Sequence, residues 1–110
     1  MTFGFLLTTS PERADARTVV RLAEAALQAG HRVELFLMDD GVYNVVAGPK
    51  HPASGGFARL MDAGAAITVC ATNTGPRGVT KEAALPGVRF GSQYDHAQMV
   101  ARADRVLTFC

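Results

Sequence analysis

Phe3-Gly4-Phe5-Leu6-Leu7-Thr8-Thr9-Ser10-Pro11 (residues 3–11) is the stretch of the sequence that decides the fold. A short apolar run that ends in hydroxyl residues is typical of a strand buried on both faces. Ser10 suits the N-cap of a helix and Pro11 its first turn, so a helix is predicted to begin directly after the strand. This order indicates a sheet that is covered by helices.

The order of strand and helix recurs along the rest of the chain. The first helix places apolar and charged residues on opposite sides and is predicted to end at Gly30. Further strands are predicted at residues 33–38, 66–71, 88–90 and 104–109. Helical segments are predicted at residues 42–47, 54–64 and 80–85, and after a capping box formed by Ser92 and Asp95.

Two local patterns add detail to these elements. Gly48-Pro49-Lys50-His51-Pro52 predicts a loop, because glycine and proline interrupt regular structure. The helix after Ser92 is predicted to turn Ala97, Val100 and Ala101 towards the core.

The alternation predicts a single α/β domain over residues 1–110, built as a three-layer α/β/α sandwich with a five-stranded, mostly parallel sheet. In such sheets, ligands and reactive groups gather beyond the carboxyl ends of the strands. The residues predicted to meet at that edge are Thr8-Thr9-Ser10, Asp39-Asp40, Cys70 and Cys110.

The composition excludes several classes of protein. In 110 residues, 48% are hydrophobic, 19% are charged and the net charge is +1, so no strong field attracts nucleic acid or a membrane surface. The apolar run at residues 1–7 has no basic region before it and is too short for export or for spanning a bilayer. We therefore expect a cytoplasmic protein with no membrane and no nucleic-acid partner.

The two cysteines, Cys70 and Cys110, do not resemble a secreted disulfide framework, and in a reducing compartment both are free thiols. Neither belongs to a Cys-x-x-Cys pair, and the three histidines show no ligand spacing. We expect neither a metal nor an organic cofactor.

Cys70 is the main candidate for chemistry. It closes the apolar run of residues 65–69, and a loop that contains Arg77 follows it. The expectation is that loop N–H groups and the charge of Arg77 favour the thiolate, and that the sulfur is both anchored and reachable. The alternative is that Cys70 is a small apolar filler of the core.

The residues around Cys70 resemble a known family. Val69-Cys70-Ala71-Thr72-Asn73-Thr74-Gly75-Pro76-Arg77-Gly78-Val79 is similar to the cysteine loop of the DsrE/DsrF-like family of small sulfur-relay proteins. Residues 36–42 resemble the end of that family's second strand and the helix that follows it, and residues 104–109 resemble its closing strand. The similarities follow the same order over nearly the whole chain.

The resemblance implies an α/β sandwich, assembly into homotrimers or homohexamers, and transfer of sulfur between donor and acceptor proteins without a cofactor. Cys70 takes over the role of carrying sulfur as a persulfide. Asn73, Gly75, Arg77 and Gly78 form the supporting loop, and Asn73 stands where some relatives have a second cysteine.

Other interpretations of the strand ends stay open. Asp39-Asp40 could suggest a phosphoacceptor or Mg²⁺ site, but such sites need acidic partners after the first strand. Thr8-Thr9-Ser10 could hold a phosphate, although glycines for a close approach are missing. The second hypothesis for function is therefore a noncatalytic oligomeric module that binds a nucleotide-like or flavin-like ligand at this edge.

Two further candidates are weaker. A Cys/His hydrolase has no positive support, since neither His51 nor His96 lies near Cys70 in sequence. Cys110 is either an exposed terminal thiol or a second thiol that resolves chemistry at Cys70.

Overall fold

A computed structural model of the protein describes residues 1–48 and 54–110. Five strands lie within these ranges: β1 (Thr2–Leu7), β2 (Arg32–Leu37), β3 (Ala66–Cys70), β4 (Arg89–Gly91) and β5 (Arg105–Phe109). The same ranges contain four α-helices: α1 (Ala14–Gln28), α2 (Ser54–Asp62), α3 (Ala71–Thr74) and α4 (Gln93–Arg102). A 3₁₀ segment, Asp39–Val45, follows β2. The loop predicted at residues 49–52, with His51, lies outside the described residues.

The five strands form one parallel sheet in the order β4-β3-β2-β1-β5, which confirms the predicted α/β fold. From β1 to β4 the chain adds each strand on the same side, and only β5 lies on the other side of β1. Because crossovers between parallel strands are right-handed, this reversal puts α4 on the face opposite to α1 and α2. One face of the sheet is therefore covered by α1 and α2 and the other by α4.

The larger part of the core lies between the sheet and helices α1 and α2. Side chains alternate between the two faces along a strand, so every second residue of β1, β2 and β3 enters this layer. Its members include Phe5, Leu7, Leu35, Leu37, Val69, Val19, Phe57 and Leu60. The alternate residues Phe36 and Cys70 face α4, where they form a smaller buried cluster with Met99.

Gly41 shows how closely the 3₁₀ segment packs on the end of β1. A Cβ atom at this position would lie 2.1 Å from the carbonyl oxygen of Leu7 and 2.9 Å from its carbonyl carbon. Only a residue without a side chain fits there. The segment that carries Asp39 and Asp40 is thus pressed directly against the strand ends.

The start of the first helix was predicted wrongly. Helix α1 begins at Ala14, with Arg13 in the N-cap position and no side-chain cap. The carbonyl of Ser10 instead accepts a hydrogen bond from the N–H of Arg13, so Ser10 and Pro11 belong to a turn over the strand end. The residues that the sequence pattern assigned to the start of the helix therefore form this turn instead.

The segment at residues 80–85 is also not a helix. The carbonyl of Thr80 accepts hydrogen bonds from the N–H groups of Ala83 and Ala84, which makes a single turn. The N–H of Leu85 then donates to the carbonyl of Val45, and Val46 forms a bridge with Ala84. Pairing with the 3₁₀ segment therefore replaces further helical turns. The fourth strand is likewise shifted by one residue, to Arg89–Gly91.

Helix α4 begins as predicted but faces the sheet with other residues than expected. The hydroxyl of Ser92 accepts from the N–H of Tyr94, and the carboxylate of Asp95 accepts from the N–H of Ser92 at 2.8 Å, as a capping box requires. The residues predicted to point inward, Ala97, Val100 and Ala101, are exposed. Met99 and His96 make the contact with the sheet instead; they are three residues apart and so share one face of the helix.

None of the helices in the described part of the chain is long and apolar enough to cross a membrane. Within residues 1–48 and 54–110, no group of three or more His, Cys, Asp or Glu side chains is placed to hold a metal ion.

Candidate functional site

Cys70 is the last residue of β3 and lies at the carboxyl edge of the sheet, as predicted. Its side chain points to the α4 face, where it is only 2% exposed and packs in a cluster with Phe36 and Met99. The expectation of a reachable thiol is wrong for this conformation. The sulfur is anchored, and neighbouring side chains cover it.

The segment after Cys70 forms a helix and a turn rather than the expected loop. Helix α3 begins at Ala71, so the strand ends one residue earlier than predicted. A tight turn follows, in which the N–H of Gly78 donates to the carbonyl of Gly75. Gly78 has a φ of 69°, a left-handed conformation that favours glycine. Of the supporting residues, Gly75 and Gly78 thus shape the turn.

Arg77 and Asn73 tie this turn to the 3₁₀ segment. The Arg77 side chain donates to Asp40 Oδ1 at 3.0 Å and to the carbonyl of Asn73 at 3.3 Å. Asn73 Oδ1 accepts from the N–H of Asp39 at 2.9 Å. The positive charge of Arg77 is therefore paired with a carboxylate, which corrects the expectation that it acts on Cys70.

Within the described residues, Gln93 is the polar side chain that contacts the Cys70 sulfur. Its Nε2 lies 3.6 Å from Cys70 Sγ and 3.6 Å from Met38 Sδ. The sheet register explains the contact, because Gly91 of β4 pairs with Cys70 and Gln93 follows only two residues later. The cap at Ser92 turns the chain between them, so the first residue of α4 comes to lie against the end of β3.

His96 is linked to the same group. Its Nδ1 lies 3.1 Å from Gln93 Oε1, and its ring stacks on Phe36 with centroids 4.9 Å apart and planes at 13°. Sequence reasoning missed Gln93 and set His96 aside as distant from Cys70. The spacing of three residues on one helix was a signal that the two side chains share a face, but only strand pairing shows that Cys70 lies opposite.

Cys110 does not join Cys70. It is exposed, and it follows β5, whereas Cys70 ends β3. Three strand spacings separate these two strands, or roughly 14 Å at about 4.8 Å for each spacing. A disulfide requires Cα atoms within about 7 Å, so the two sulfurs cannot pair within this fold.

The other residues at the strand ends are engaged within the protein. The hydroxyl of Thr8 donates to the carbonyl of Phe109, and that of Thr9 donates to Asp15. Asp39 and Asp40 occupy the first turn of the 3₁₀ segment. The carboxylate of Asp15 beside Thr9 opposes binding of a phosphate, so the geometry gives no support to a nucleotide site at the end of β1.

A cleft of about 180 Å³ lies on the same face of the sheet as Cys70, between α4 and strands β2 to β4. Its lining ends at Thr68, two residues before Cys70. Its charged residues form ion pairs, Glu34 with Arg102 at 2.6 Å and Asp95 with Arg89 at 2.9 Å. The Glu34 carboxylate raises the pKa of Arg102 by accepting its hydrogen bonds and by its charge. These pairs leave the cleft balanced in charge.

Comparison with known proteins gives concordant results. A family model described as the DsrE/DsrF-like family matches residues 1–109. An uncharacterized protein, MJ0989 of Methanocaldococcus jannaschii, is 29% identical over 115 residues, which cover 99% of this chain and 100% of the relative. The uncharacterized protein MK0008 of Methanopyrus kandleri is 29% identical over 98 residues, which cover 86% of this chain and 81% of the relative.

Solved structures show the same fold. The crystal structure of the ychN protein from E. coli superposes with a TM-score of 0.91 at 26% identity and covers 99% of both chains. A protein of unknown function from Methanobacterium thermoautotrophicum, MTH1491, superposes with a TM-score of 0.73 at 17% identity and covers 97% of both chains. At that lower identity, the likeness concerns the fold alone.

Proposed function

This chain belongs to the DsrE/DsrF-like family, and from that premise we propose that it carries sulfane sulfur as a persulfide on Cys70 between a donor protein and an acceptor protein. The observation that carries the proposal is the place of Cys70, at the carboxyl edge of β3 with a side-chain amide against its sulfur. A buried filler of the core needs no polar partner, whereas a reactive sulfur gains from one.

Each transfer balances without an oxidant or a reductant. The Cys70 thiolate attacks the outer sulfur of the donor's persulfide, so a new S–S bond forms at Cys70 while the S–S bond of the donor breaks. The donor cysteine leaves as a thiolate, and the outer sulfur stays on Cys70. An acceptor thiolate then attacks that outer sulfur, and Cys70 leaves as a thiolate in its turn.

The burial of Cys70 has a consequence for this chemistry. Gln93 is exposed and contacts a sulfur that is 2% exposed, so its side chain forms part of the layer between Cys70 and solvent. A donor therefore approaches the sulfur past this side chain.

Asn73, Gly75, Arg77 and Gly78 serve as structural support in the proposal. They hold α3 and the following turn against the 3₁₀ segment, and so keep the end of β3 in place. Cys110 takes no part in transfer within one chain, because it lies too far along the sheet edge.

Partners and assembly belong to the same proposal. We infer protein donors and acceptors in a reducing, cytoplasmic setting, and a homotrimer or homohexamer. The exposed apolar side chains on the α4 face support assembly: Tyr94 is 70% exposed, Val100 47% and Val106 39%. Light scattering tests this point, and a monomer at micromolar concentration would remove the oligomer from the proposal.

Intact-mass spectrometry tests the transfer itself. After incubation with a polysulfide donor, we expect the wild type to gain the mass of one sulfur atom, which a reductant removes. Cys70→Ser should gain none, and the matched control Cys110→Ser should behave as the wild type. Equal labelling of Cys70→Ser and wild type would contradict the proposal.

A further inference from the structure

The Gln93 amide has three partners, and together they determine the orientation of its oxygen and nitrogen atoms. Its Nε2 is 3.6 Å from Cys70 Sγ and 3.6 Å from Met38 Sδ, and its Oε1 is 3.1 Å from His96 Nδ1. A thioether carries no proton, so the Met38 sulfur can only accept a hydrogen bond. The NH₂ end of the amide therefore faces the two sulfurs, and each of its N–H groups serves one of them.

The same argument determines the tautomer of His96. The amide oxygen of Gln93 can only accept, so His96 Nδ1 must carry a proton. The stacking on Phe36 holds the plane of the imidazole. A chain of donors therefore runs from His96 Nδ1–H through the Gln93 amide to the sulfur of Cys70.

We propose that Gln93 and His96 are positioning residues for Cys70: the imidazole orients the amide, and the amide N–H stabilises the sulfur as an anion. This inference rests on the proposed function and deepens it, because it names the groups that prepare the reacting sulfur. A hydrogen bond to a thiolate is charge-assisted and stronger than one to a neutral thiol. The donor therefore favours the form of Cys70 that attacks and the form that leaves.

Charged groups lie on the elements that surround Cys70. They are Asp95 on α4, Asp39 and Asp40 on the 3₁₀ segment, Arg77 after α3 and Arg89 on β4. Asp95 pairs with Arg89 at 2.9 Å, and Asp40 pairs with Arg77 at 3.0 Å. A change in the reactivity of Cys70 on substitution of Gln93 or His96 is therefore assigned to the donor chain itself.

Alkylation by iodoacetamide as a function of pH tests the inference. Cys110→Ser serves as the background, so that Cys70 is the thiol observed. Gln93→Met keeps the length of the side chain and removes both N–H donors without adding a charge. His96→Phe keeps a ring to stack on Phe36 but removes Nδ1–H, whereas His96→Asn restores an N–H near that position.

At about pH 7 the alkylation rate constant should fall roughly threefold to tenfold in Gln93→Met and in His96→Phe, and should recover in His96→Asn. At high pH, where the thiol is fully ionised, all the rates should converge. A change in access to the sulfur would move that plateau as well, so the plateau separates positioning from a structural effect. Profiles in Gln93→Met and His96→Phe that match the background, or no recovery in His96→Asn, would overturn the inference.

Two further measurements complete the test. Two-bond ¹⁵N–¹H correlation of the wild type should show the neutral His96 protonated on Nδ1, and a proton on Nε2 would overturn the inference. Sulfur loading of the same proteins is followed by intact mass. A wild type that takes up no sulfur, with pH profiles that shift as expected, would defeat only the proposed function. Loading with unchanged profiles would defeat only the positioning role.

Discussion

The side-chain oxygen of Asn73 accepts a hydrogen bond from the backbone N–H of Asp39 at 2.9 Å, which joins the helical turn after Cys70 to the segment after β2. Asp39 has a φ of 49°, a left-handed conformation that few residues other than glycine adopt. The bond therefore holds a strained residue in place next to the cysteine. It gives Asn73 a structural role at a position where a second cysteine would bring a different chemistry.

Asn73→Ala should lower the free energy of unfolding by about 1 kcal/mol, because the N–H of Asp39 loses its partner. Urea denaturation measures the change, and hydrogen exchange at Asp39 should become faster. Thr72→Ala is the matched control, since Thr72 is an exposed residue of the same helical turn. An equal effect of both substitutions would mean that the side-chain bond does not stabilise the turn.

Gly41→Ala should destabilise the protein by about 3 kcal/mol or more, because its Cβ would meet the Leu7 carbonyl and force the backbone to shift. Gly55→Ala is the control, since its Cβ would have nothing within 4 Å and alanine favours the helix α2 that contains it. We expect the control to be stabilised by about 0.5 kcal/mol. Thermal or urea unfolding compares the two, and a mild effect at Gly41 would refute the close packing on β1.

Met99→Ala should cost about 2–4 kcal/mol, because Met99 is 3% exposed and fills the small core between α4 and the sheet. The cavity should also let iodoacetamide reach Cys70 faster at high pH. Gln98→Ala, at an exposed neighbouring position, should change neither quantity. If Met99→Ala leaves both stability and alkylation unchanged, α4 does not cover Cys70 in the way described.

Asp95→Asn should change how stability depends on pH. The backbone N–H of Ser92 is the main cause that holds the pKa of Asp95 below its ordinary value of 3.8, and Arg89 adds to it. The ionised carboxylate therefore stabilises the fold above that value, and the contribution is lost as the pH falls through the folded-state pKa. The wild type should exceed Asp95→Asn in unfolding free energy by a constant amount between about pH 7 and about pH 5.

Below about pH 4 this difference should shrink as the Asp95 carboxyl becomes protonated. Denaturant titrations at several pH values provide the measurement. A difference that persists unchanged into strong acid would show that the charge of Asp95 does not contribute to the cap.

The fold was largely predictable because its signals are local. The apolar run at residues 3–8, the capping box at Ser92 and the glycine at residue 30 each specify a strand, a helix start or a helix end from nearby residues. The errors in the predicted elements arose where contacts with distant segments compete with local preferences. Residues 80–85 could form a helix by themselves, but pairing with Val45 and Val46 ends it after one turn.

The candidate site likewise has features that the local sequence predicts and features that only the fold determines. Cys70 could be placed at the end of a strand from its apolar run, but the sequence left its burial open, because α4 is remote in sequence. Arg77 was expected to act on Cys70, and the tertiary structure pairs it with Asp40 instead. A guanidinium binds whichever carboxylate the fold brings close, and a pattern within one loop contains no information about that distance.

The sequence alone determined that this protein is a layered α/β domain with a cysteine at the carboxyl edge of its sheet. It could do so because hydrophobic periodicity and capping residues act over only a few positions. Only the tertiary structure decided what touches that cysteine. The register of β3 and β4 sets Gly91 beside Cys70, and so brings Gln93 and His96 to its sulfur. Strand pairing depends on contacts between segments far apart in the chain, and these exist only once the sheet has formed.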